Sequence, residues 1–197
     1  MKLTANKITG GRLFVFTPLL LVLHQIGASG TTEVLWACLA IMIVNELLDA
    51  VDGKFARSKN GVVTTFGKLF DPWVDSLSRG LLFLSFVGVG WIPWWLFGIL
   101  FVRDICVAYT RTFAASKGII LQARGSGKIK GLLQAISIPL VTLLHAMKME
   151  GAALDAHTIG TVVVAVIAFW TFIAGADYLR FGVREGVFHE PSEPKEK

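Results

Sequence analysis

The hydrophobic positions of this chain are gathered into six apolar stretches that alternate with short charged or glycine-containing segments. The stretches cover residues 13–26, 34–48, 69–91, 94–115, 132–147 and 159–178. A helix that crosses a bilayer needs roughly 20 predominantly apolar residues, because the hydrocarbon core is about 30 Å thick. The pattern therefore predicts an all-α integral membrane protein with six transmembrane helices.

Lysine and arginine residues are concentrated in every second connection. Segments 2–12, 54–68, 111–130 and 180–197 carry most of them, whereas segments 27–33 and 91–94 carry none. Because cytoplasmic loops are enriched in these residues, we expect a multi-pass protein of the cell (inner) membrane with both termini in the cytoplasm. Trp91, Trp94 and Trp95 would anchor the opposite interface, where aromatic residues are enriched.

The two ends of the chain differ from its apolar middle. Lys2, Leu3, Lys7 and Ile8 mix cationic and apolar positions, which is typical of a helix that lies along the membrane interface. Residues 185–197 contain two prolines and four acidic residues and are expected to form a solvated tail. The sequence thus predicts one membrane domain with an N-terminal interfacial helix, residues 1–184, followed by a tail, residues 185–197.

The composition excludes several classes of protein. The chain is 54% hydrophobic and 17% charged, whereas soluble domains are about 25% charged, so a soluble or disordered protein is excluded. The lysine and arginine residues behind the net charge of +5 lie mainly in the predicted cytoplasmic segments, so this charge does not indicate a nucleic-acid partner.

Cys38 and Cys106 lie within apolar stretches and are predicted to be small buried side chains without a disulfide. The four histidines show no spacing of metal ligands and are expected at interfaces or on the surface.

Four aspartates flank one cytoplasmic connection of this apolar chain. Asp49 and Asp52 end the second stretch at a spacing of three, and Asp71 and Asp75 begin the third at a spacing of four. Both spacings place the members of a pair on one face of a helix. Four carboxylates aimed at one point repel one another unless divalent cations lie between them, and two such cations can stabilise displacement at phosphorus. The spacing therefore predicts a two-metal site for phosphoryl chemistry.

These aspartates belong to a motif of eight fixed positions that resembles the complete signature of the CDP-alcohol phosphatidyltransferases. In this chain the motif reads Asp49-x-x-Asp52-Gly53-x-x-Ala56-Arg57, then nine residues, then Gly67-x-x-x-Asp71-x-x-x-Asp75. The resemblance implies a six-helix membrane enzyme that transfers a phosphatidyl group from a CDP-linked lipid, such as CDP-diacylglycerol, to an alcohol and releases CMP. Its active site would lie on the cytoplasmic side.

The resemblance also implies roles for single residues. Two Mg²⁺ or Mn²⁺ ions would be bound by Asp49, Asp52, Asp71 and Asp75, and Asp75 would also remove the proton of the acceptor hydroxyl. A carboxylate beside two cations stays ionised at working pH, as a general base must. Contacts to the CDP-lipid are implied for Asn6, Asp52, Gly53, Ala56, Arg57 and Gly67.

A second group of residues concerns the acceptor. The start of the chain, Asn6-Lys7-Ile8-Thr9-Gly10-Gly11-Arg12, and the later elements Arg103-Asp104, Arg111 and Gly127-Lys128-Ile129-Lys130 resemble the glycerophosphate branch of the family. The resemblance implies glycerol 3-phosphate as the acceptor, with Arg111, Lys128 and Lys130 holding its phosphate. Three positions depart from that branch: Val74 stands where it usually has Ala, Ser76 where it has Lys, and Gly131 where Thr often follows the second Lys.

Several alternatives remain open from the sequence. The acceptor could be inositol phosphate, inositol, serine or another polar alcohol, and a protein of a different class, a divalent-cation transporter, could use the carboxylates only to bind ions. Lys128 and Lys130 could serve membrane topology alone. Asp104 could form an intramembrane ion pair with Arg79 or Arg103, or contact substrate. Ala174 and Gly175 indicate close packing of the last helix, within the chain or in a homodimer.

Overall fold

The computed structural model describes the backbone of residues 11–56, 65–119, 121 and 125–188. Side chains are described at residues 11, 13–47, 73–119, 121 and 125–188. This part of the chain is helical and contains no strand, which confirms the predicted all-α class. Its six helices are α1 (Thr17–Ala28), α2 (Thr32–Ala56), α3 (Thr65–Gly88), α4 (Trp94–Ser116), α5 (Gly125–Met149) and α6 (Ala156–Arg184).

The helices form three hairpins, α1–α2, α3–α4 and α5–α6, whose members pack against each other. The three hairpin loops lie at one end of the bundle, which we term the outer end. There the indole N–H of Trp36 donates to Glu150 over 2.6 Å, and the ring of Trp91 stacks on His145 with centroids 4.1 Å apart. The last residues of α2 and α4 and the first residues of α3 and α5 therefore lie at the opposite, inner end.

The hydrophobic core occupies the outer part of the bundle. Its buried side chains come from all six helices and include Leu20, Leu35, Phe83, Phe86, Leu96, Val141 and Val164. Cys38 belongs to this core, and both cysteines are free, as predicted. The buried charged side chains lie nearer the inner end, so the charged groups and the hydrophobic core lie at different levels along the bundle axis.

His24 joins three helices within this core. Its Nδ1 lies 3.1 Å from the hydroxyl of Ser85 on α3, and its Nε2 lies 3.1 Å from the hydroxyl of Thr142 on α5. The prediction of an interfacial or surface position is therefore wrong for His24, and also for the buried His145. The reason is that hydroxyl partners and aromatic stacking satisfy the two rings inside the bundle.

Helices α4 and α6 run parallel and approach closely at two glycines. A Cβ atom on Gly175 would lie 2.6 Å from Cγ of Arg103, and one on Gly182 would lie 2.9 Å from Cγ2 of Thr110. The two contacts are seven residues apart on both helices, which is the repeat of left-handed helix packing. The close packing predicted at Gly175 is therefore found within the chain.

Two of the described helices, α5 and α6, are long and apolar enough to cross a membrane. A π-helical turn, Arg12–Phe16, runs directly into α1, and the resulting apolar helix, Leu13–Ala28, is shorter than a membrane span. Helix α4 carries Arg103, Asp104 and Arg111 in its length. The predicted interfacial helix falls largely on residues 1–10, outside the described part of the chain. Beyond α6, Val187 is buried, and residues 189–197 are also outside the described part.

Helix boundaries at the inner end differ from the sequence expectation. Gly53, Ala56 and Gly67 were expected in a turn, but α2 continues to Ala56 and α3 begins at Thr65. Lys128 and Lys130 lie in the first two turns of α5. Hydrophobicity alone underestimates these helices, because their inner ends carry the charged residues, which do not interrupt helical hydrogen bonding.

Candidate active site

The four signature aspartates lie on the inner halves of α2 and α3. Asp49 and Asp52 lie in the last two turns of α2, and Asp71 and Asp75 in the first three turns of α3. Asp75 is the member of the four whose side chain is described. Its carboxylate is 27% exposed and lines a cleft between α1, α2, α3 and α5.

Side chains from both helices that carry the aspartates line this cleft. Asn45 and Glu46 of α2 line it together with Asp75, Ser78 and Arg79 of α3 and with apolar residues of α1 and α5. Asp49 lies one helical turn beyond Asn45, and Asp71 one turn before Asp75, in each case toward the inner end. Because residues four apart share a helix face, the faces that line the cleft continue into both aspartate pairs.

The chemistry of the four residue types would suit two hard divalent cations, because Mg²⁺ and Mn²⁺ prefer carboxylate and water oxygens. Within the described side chains no group of three or more potential metal ligands occurs, since Asp49, Asp52 and Asp71 lie outside that set. Of the four carboxylates, the structure describes that of Asp75, and the two-metal site stays a prediction.

Arg79 lies one turn deeper than Asp75 on the same face of α3. Its Nη2 is 3.9 Å from Oδ2 of Asp75, and its side chain is 15% exposed. It also borders α5, because a Cβ atom on Gly131 would lie 3.5 Å from Nη1 of Arg79. The guanidinium therefore stands between the carboxylate of Asp75 and the start of α5.

A second polar cluster connects α4 with α5 beside this cleft. The ammonium group of Lys130 donates to both carboxylate oxygens of Asp104, over 2.9 Å and 2.8 Å. Nη1 of Arg103 donates to Oδ1 of the same carboxylate over 2.8 Å. All three side chains are at least four-fifths buried. Asp104 thus pairs with Arg103 and Lys130, where the sequence suggested Arg79 or Arg103.

The three predicted acceptor residues lie in different environments. Lys130 is buried in the Asp104 cluster, whereas Lys128 is exposed. Nε of Arg111 donates to the phenol oxygen of Tyr178 on α6 over 3.1 Å, and its guanidinium lies 5.3 Å from the centre of that ring. The structure therefore brings Lys130 near Arg79 and Arg103, and it holds Arg111 against α6.

Two predicted CDP-lipid residues, Asn6 and Arg57, lie outside the described residues. Gly53, Ala56 and Gly67 are described by backbone alone, within α2 and α3. The contact between Arg79 and Asp75 and the burial of Lys130 were not predicted. The spacing of four between Asp75 and Arg79 on α3 was the available signal for the first. The partner of Lys130, Asp104, lies on another helix and cannot be derived from spacing.

The chain is similar to known proteins over most of its length. Residues 2–176 match the CDP-alcohol phosphatidyltransferase family. A probable phosphatidylglycerophosphate synthase of Mycobacterium tuberculosis is 31% identical over 183 residues, which cover 92% of this chain and 82% of the relative. A CDP-diacylglycerol–glycerol-3-phosphate 3-phosphatidyltransferase of Rickettsia typhi is 30% identical, with 91% and 97% covered. The Bacillus subtilis protein of the same name is 30% identical, with 70% and 69% covered.

Proposed function

The chain belongs to the CDP-alcohol phosphatidyltransferase family, and we propose that it moves a phosphatidyl group from CDP-diacylglycerol to glycerol 3-phosphate and releases CMP. The two relatives named for this activity that match more than nine-tenths of this chain support the choice of acceptor. The enzyme is a transferase of substituted phosphate groups in phospholipid biosynthesis.

This proposal rests on the cleft that residues of both α2 and α3 line. Asp75 lines it, and the helix faces that border it continue into Asp49 and Asp52 on one side and Asp71 on the other. Asp49, Asp52, Asp71 and Asp75 would hold two Mg²⁺ or Mn²⁺ ions. When bound, these ions would neutralise the diphosphate of the liponucleotide and the charge that develops at phosphorus.

Asp75 serves as the general base in this proposal. The acceptor hydroxyl oxygen attacks the phosphorus that bears the diacylglycerol, the bond from that phosphorus to the CMP oxygen breaks, and Asp75 takes the hydroxyl proton. A base must reach the proton it removes, and the position of Asp75 on the cleft that α2 and α3 line supports this role.

The remaining residues bind the two substrates. Asn6, Asp52 and Arg57 would contact the CDP part of the lipid, and small residues at Gly53, Ala56 and Gly67 would let the nucleotide approach the backbone. Arg111, Lys128 and Lys130 would attract the phosphate of the acceptor. An apolar cleft between α3 and α4, bordered by Trp73, Phe97 and Phe101, would suit the lipid chains.

The membrane arrangement is part of the same proposal. All six helices would cross the cell (inner) membrane, residues 1–12 would lie along its cytoplasmic interface, and both termini and the active site would face the cytoplasm. The asymmetric placement of lysine and arginine residues supports this orientation. The enzyme would act in the lipid bilayer, as a monomer or a homodimer.

Release of CMP tests the reaction and the acceptor together. Purified protein in detergent is offered CDP-diacylglycerol with glycerol 3-phosphate, inositol 1-phosphate, inositol, serine or glycerol in parallel. We expect CMP release with glycerol 3-phosphate and little with glycerol, because buried cations lose their partner when the phosphate is absent. Preference for serine or inositol would contradict the acceptor. No release with any alcohol would contradict the enzyme activity and favour cation transport.

Removal of the metal ligands tests the two-metal site. Substitution of Asp49, Asp52 or Asp71 by Ala should lower turnover in Mg²⁺ or Mn²⁺ by at least about a hundred-fold, the order of loss expected when a main source of charge stabilisation is removed. The helical circular dichroism should not change, since each substitution removes charge repulsion. Retention of more than about a tenth of wild-type turnover in all three variants would contradict the site.

A further inference from the structure

Arg79 is a buried cation that the reaction described above does not use. Its side chain is 15% exposed, and its one ion contact among the described residues is the 3.9 Å approach to Asp75. That distance exceeds the 2.7–2.9 Å or so of a charge-assisted hydrogen bond. Nε of Arg79 is buried without a hydrogen-bond partner in the described part of the chain. A buried arginine in this state has donors left for an additional anion.

The neighbours of Arg79 on the side of α4 and α5 are cationic, whereas the carboxylates of Glu46 and Asp75 line the cleft on its other side. Arg79 and Arg103 both lie close enough to Lys130 to repel its ammonium charge. Asp104 compensates Lys130 and Arg103 at 2.8–2.9 Å, and no such short contact to a carboxylate is found for Arg79 within the described residues. An anion bound at Arg79 would relieve this repulsion, and the position is therefore suited to a negatively charged substrate group.

The position of Arg79 also matches the shape of the acceptor. Arg79 follows Asp75 by four residues on the same face of α3, and both line the cleft. Nη2 of Arg79 lies 3.9 Å from Oδ2 of Asp75, so a short molecule with a hydroxyl and a phosphate a few atoms apart can contact both side chains at once. A hydroxyl at Asp75 would thus place the phosphate beside a guanidinium whose fork can bind two phosphate oxygens.

We propose, on the basis of the proposed function, that Arg79 is a specificity-determining residue that binds the phosphate of the acceptor, and that Gly131 provides the space for it. A Cβ atom at position 131 would already contact Nη1 of Arg79 at 3.5 Å, and a threonine would bring two more heavy atoms into that region.

Steady-state kinetics of the full-length protein test this assignment. Arg79→Met should raise the apparent KM for glycerol 3-phosphate by about 10–100-fold, the loss expected for one charge-assisted contact. The KM for CDP-diacylglycerol should change by less than about two-fold, since that substrate would not contact Arg79. Arg79→Lys should restore part of the affinity. Arg184→Met, at an exposed position outside the site, is the matched control and should behave as wild type.

Anion binding provides a readout that does not depend on turnover. Inorganic phosphate should inhibit competitively against glycerol 3-phosphate, and its inhibition constant should rise in Arg79→Met in parallel with the KM. Radiolabelled glycerol 3-phosphate, measured by equilibrium dialysis without liponucleotide, should bind more weakly to the same variant. An unchanged KM and inhibition constant with a lowered kcat would mean that Arg79 only supports Asp75, and would overturn the proposal.

A second variant keeps the test valid should Arg79→Met not fold. Gly131→Thr leaves the cation in place but crowds its guanidinium, so the KM for glycerol 3-phosphate should rise while that for the liponucleotide does not. An unchanged KM for glycerol 3-phosphate in folded Gly131→Thr would overturn the role of Gly131. Failure of the proposed function is a separate outcome, because it would appear as absence of CMP release by the wild-type protein with glycerol 3-phosphate.

Discussion

The surroundings of a charged side chain in this protein depend on the helix face that carries it. The spacings of three and four within the aspartate pairs place the members of each pair on one face. Lys128 and Lys130 look equivalent in the sequence, but residues two apart point to different sides of a helix. The structure accordingly leaves Lys128 exposed and buries Lys130 against Asp104.

The role of Asp75 as a base can be tested by an isosteric change. Asp75→Asn keeps the shape of the side chain but cannot accept the acceptor proton, so turnover should fall by about 10²–10⁴-fold. Binding of CDP-diacylglycerol, measured by equilibrium titration, should change far less. Asp155→Asn is the control, since Asp155 caps α6 at the outer end by accepting from the backbone N–H of Thr158 over 3.1 Å. Equal losses in binding and turnover would limit Asp75 to metal binding.

Lys130 and Lys128, one buried and one exposed, allow a second prediction about stability. Lys130→Met removes one partner of a buried ion pair and should lower the free energy of unfolding by about 3–5 kcal/mol, read as a lower thermal midpoint in detergent. Lys128→Met should leave that midpoint unchanged, because exposed charges contribute little. Equal midpoints for both variants would show that the Asp104 pair does not stabilise the fold. A rise in KM for glycerol 3-phosphate in either variant would support its acceptor role.

At the scale of helices, apolar stretches predicted the number and order of the elements but not their inner ends. The predicted second stretch ends at Leu48, whereas α2 continues to Ala56, and the fifth begins at Leu132, whereas α5 begins at Gly125. Polar residues can extend a helix without any hydrophobic signal. The packing partners of each helix could not be predicted either, since the contacts of α4 with α6 and of α2 with α5 join segments distant in the sequence.

The glycine contacts between α4 and α6 lead to a prediction at this scale. Gly175→Ala would place a methyl group 2.6 Å from Cγ of Arg103, and overpacking of this kind costs about 1–3 kcal/mol. We expect a lower thermal midpoint and, because Arg103 contacts Asp104, lower turnover. Gly98→Ala on α4 is the control: its added methyl group meets no atom within 4 Å, so the midpoint should stay the same or rise. Indistinguishable midpoints for the two variants would contradict close packing at Gly175.

For the molecule as a whole, composition and charge distribution predict a helical membrane protein with two different ends, and the fold shows which side chains meet at each end. Trp36, Trp91, His145 and Glu150 meet at the outer end, and the aspartate-bearing turns lie at the inner end. The sequence could not predict that His24 joins α1, α3 and α5, because a lone histidine in an apolar stretch carries no information about distant hydroxyl partners.

The orientation of this bundle in the membrane is the last prediction. The lysine and arginine residues of the inner connections should hold that end in the cytoplasm. Ala153→Cys lies in the α5–α6 loop at the outer end, and Ser116→Cys lies at the inner end of α4; both positions are exposed. A membrane-impermeant maleimide added to intact spheroplasts should label Ala153→Cys at once and Ser116→Cys only after permeabilisation. The unmodified chain, whose Cys38 is buried and Cys106 partly buried, supplies the background. Labelling of Ser116→Cys alone in intact spheroplasts would reverse the orientation and place the aspartates outside the cell.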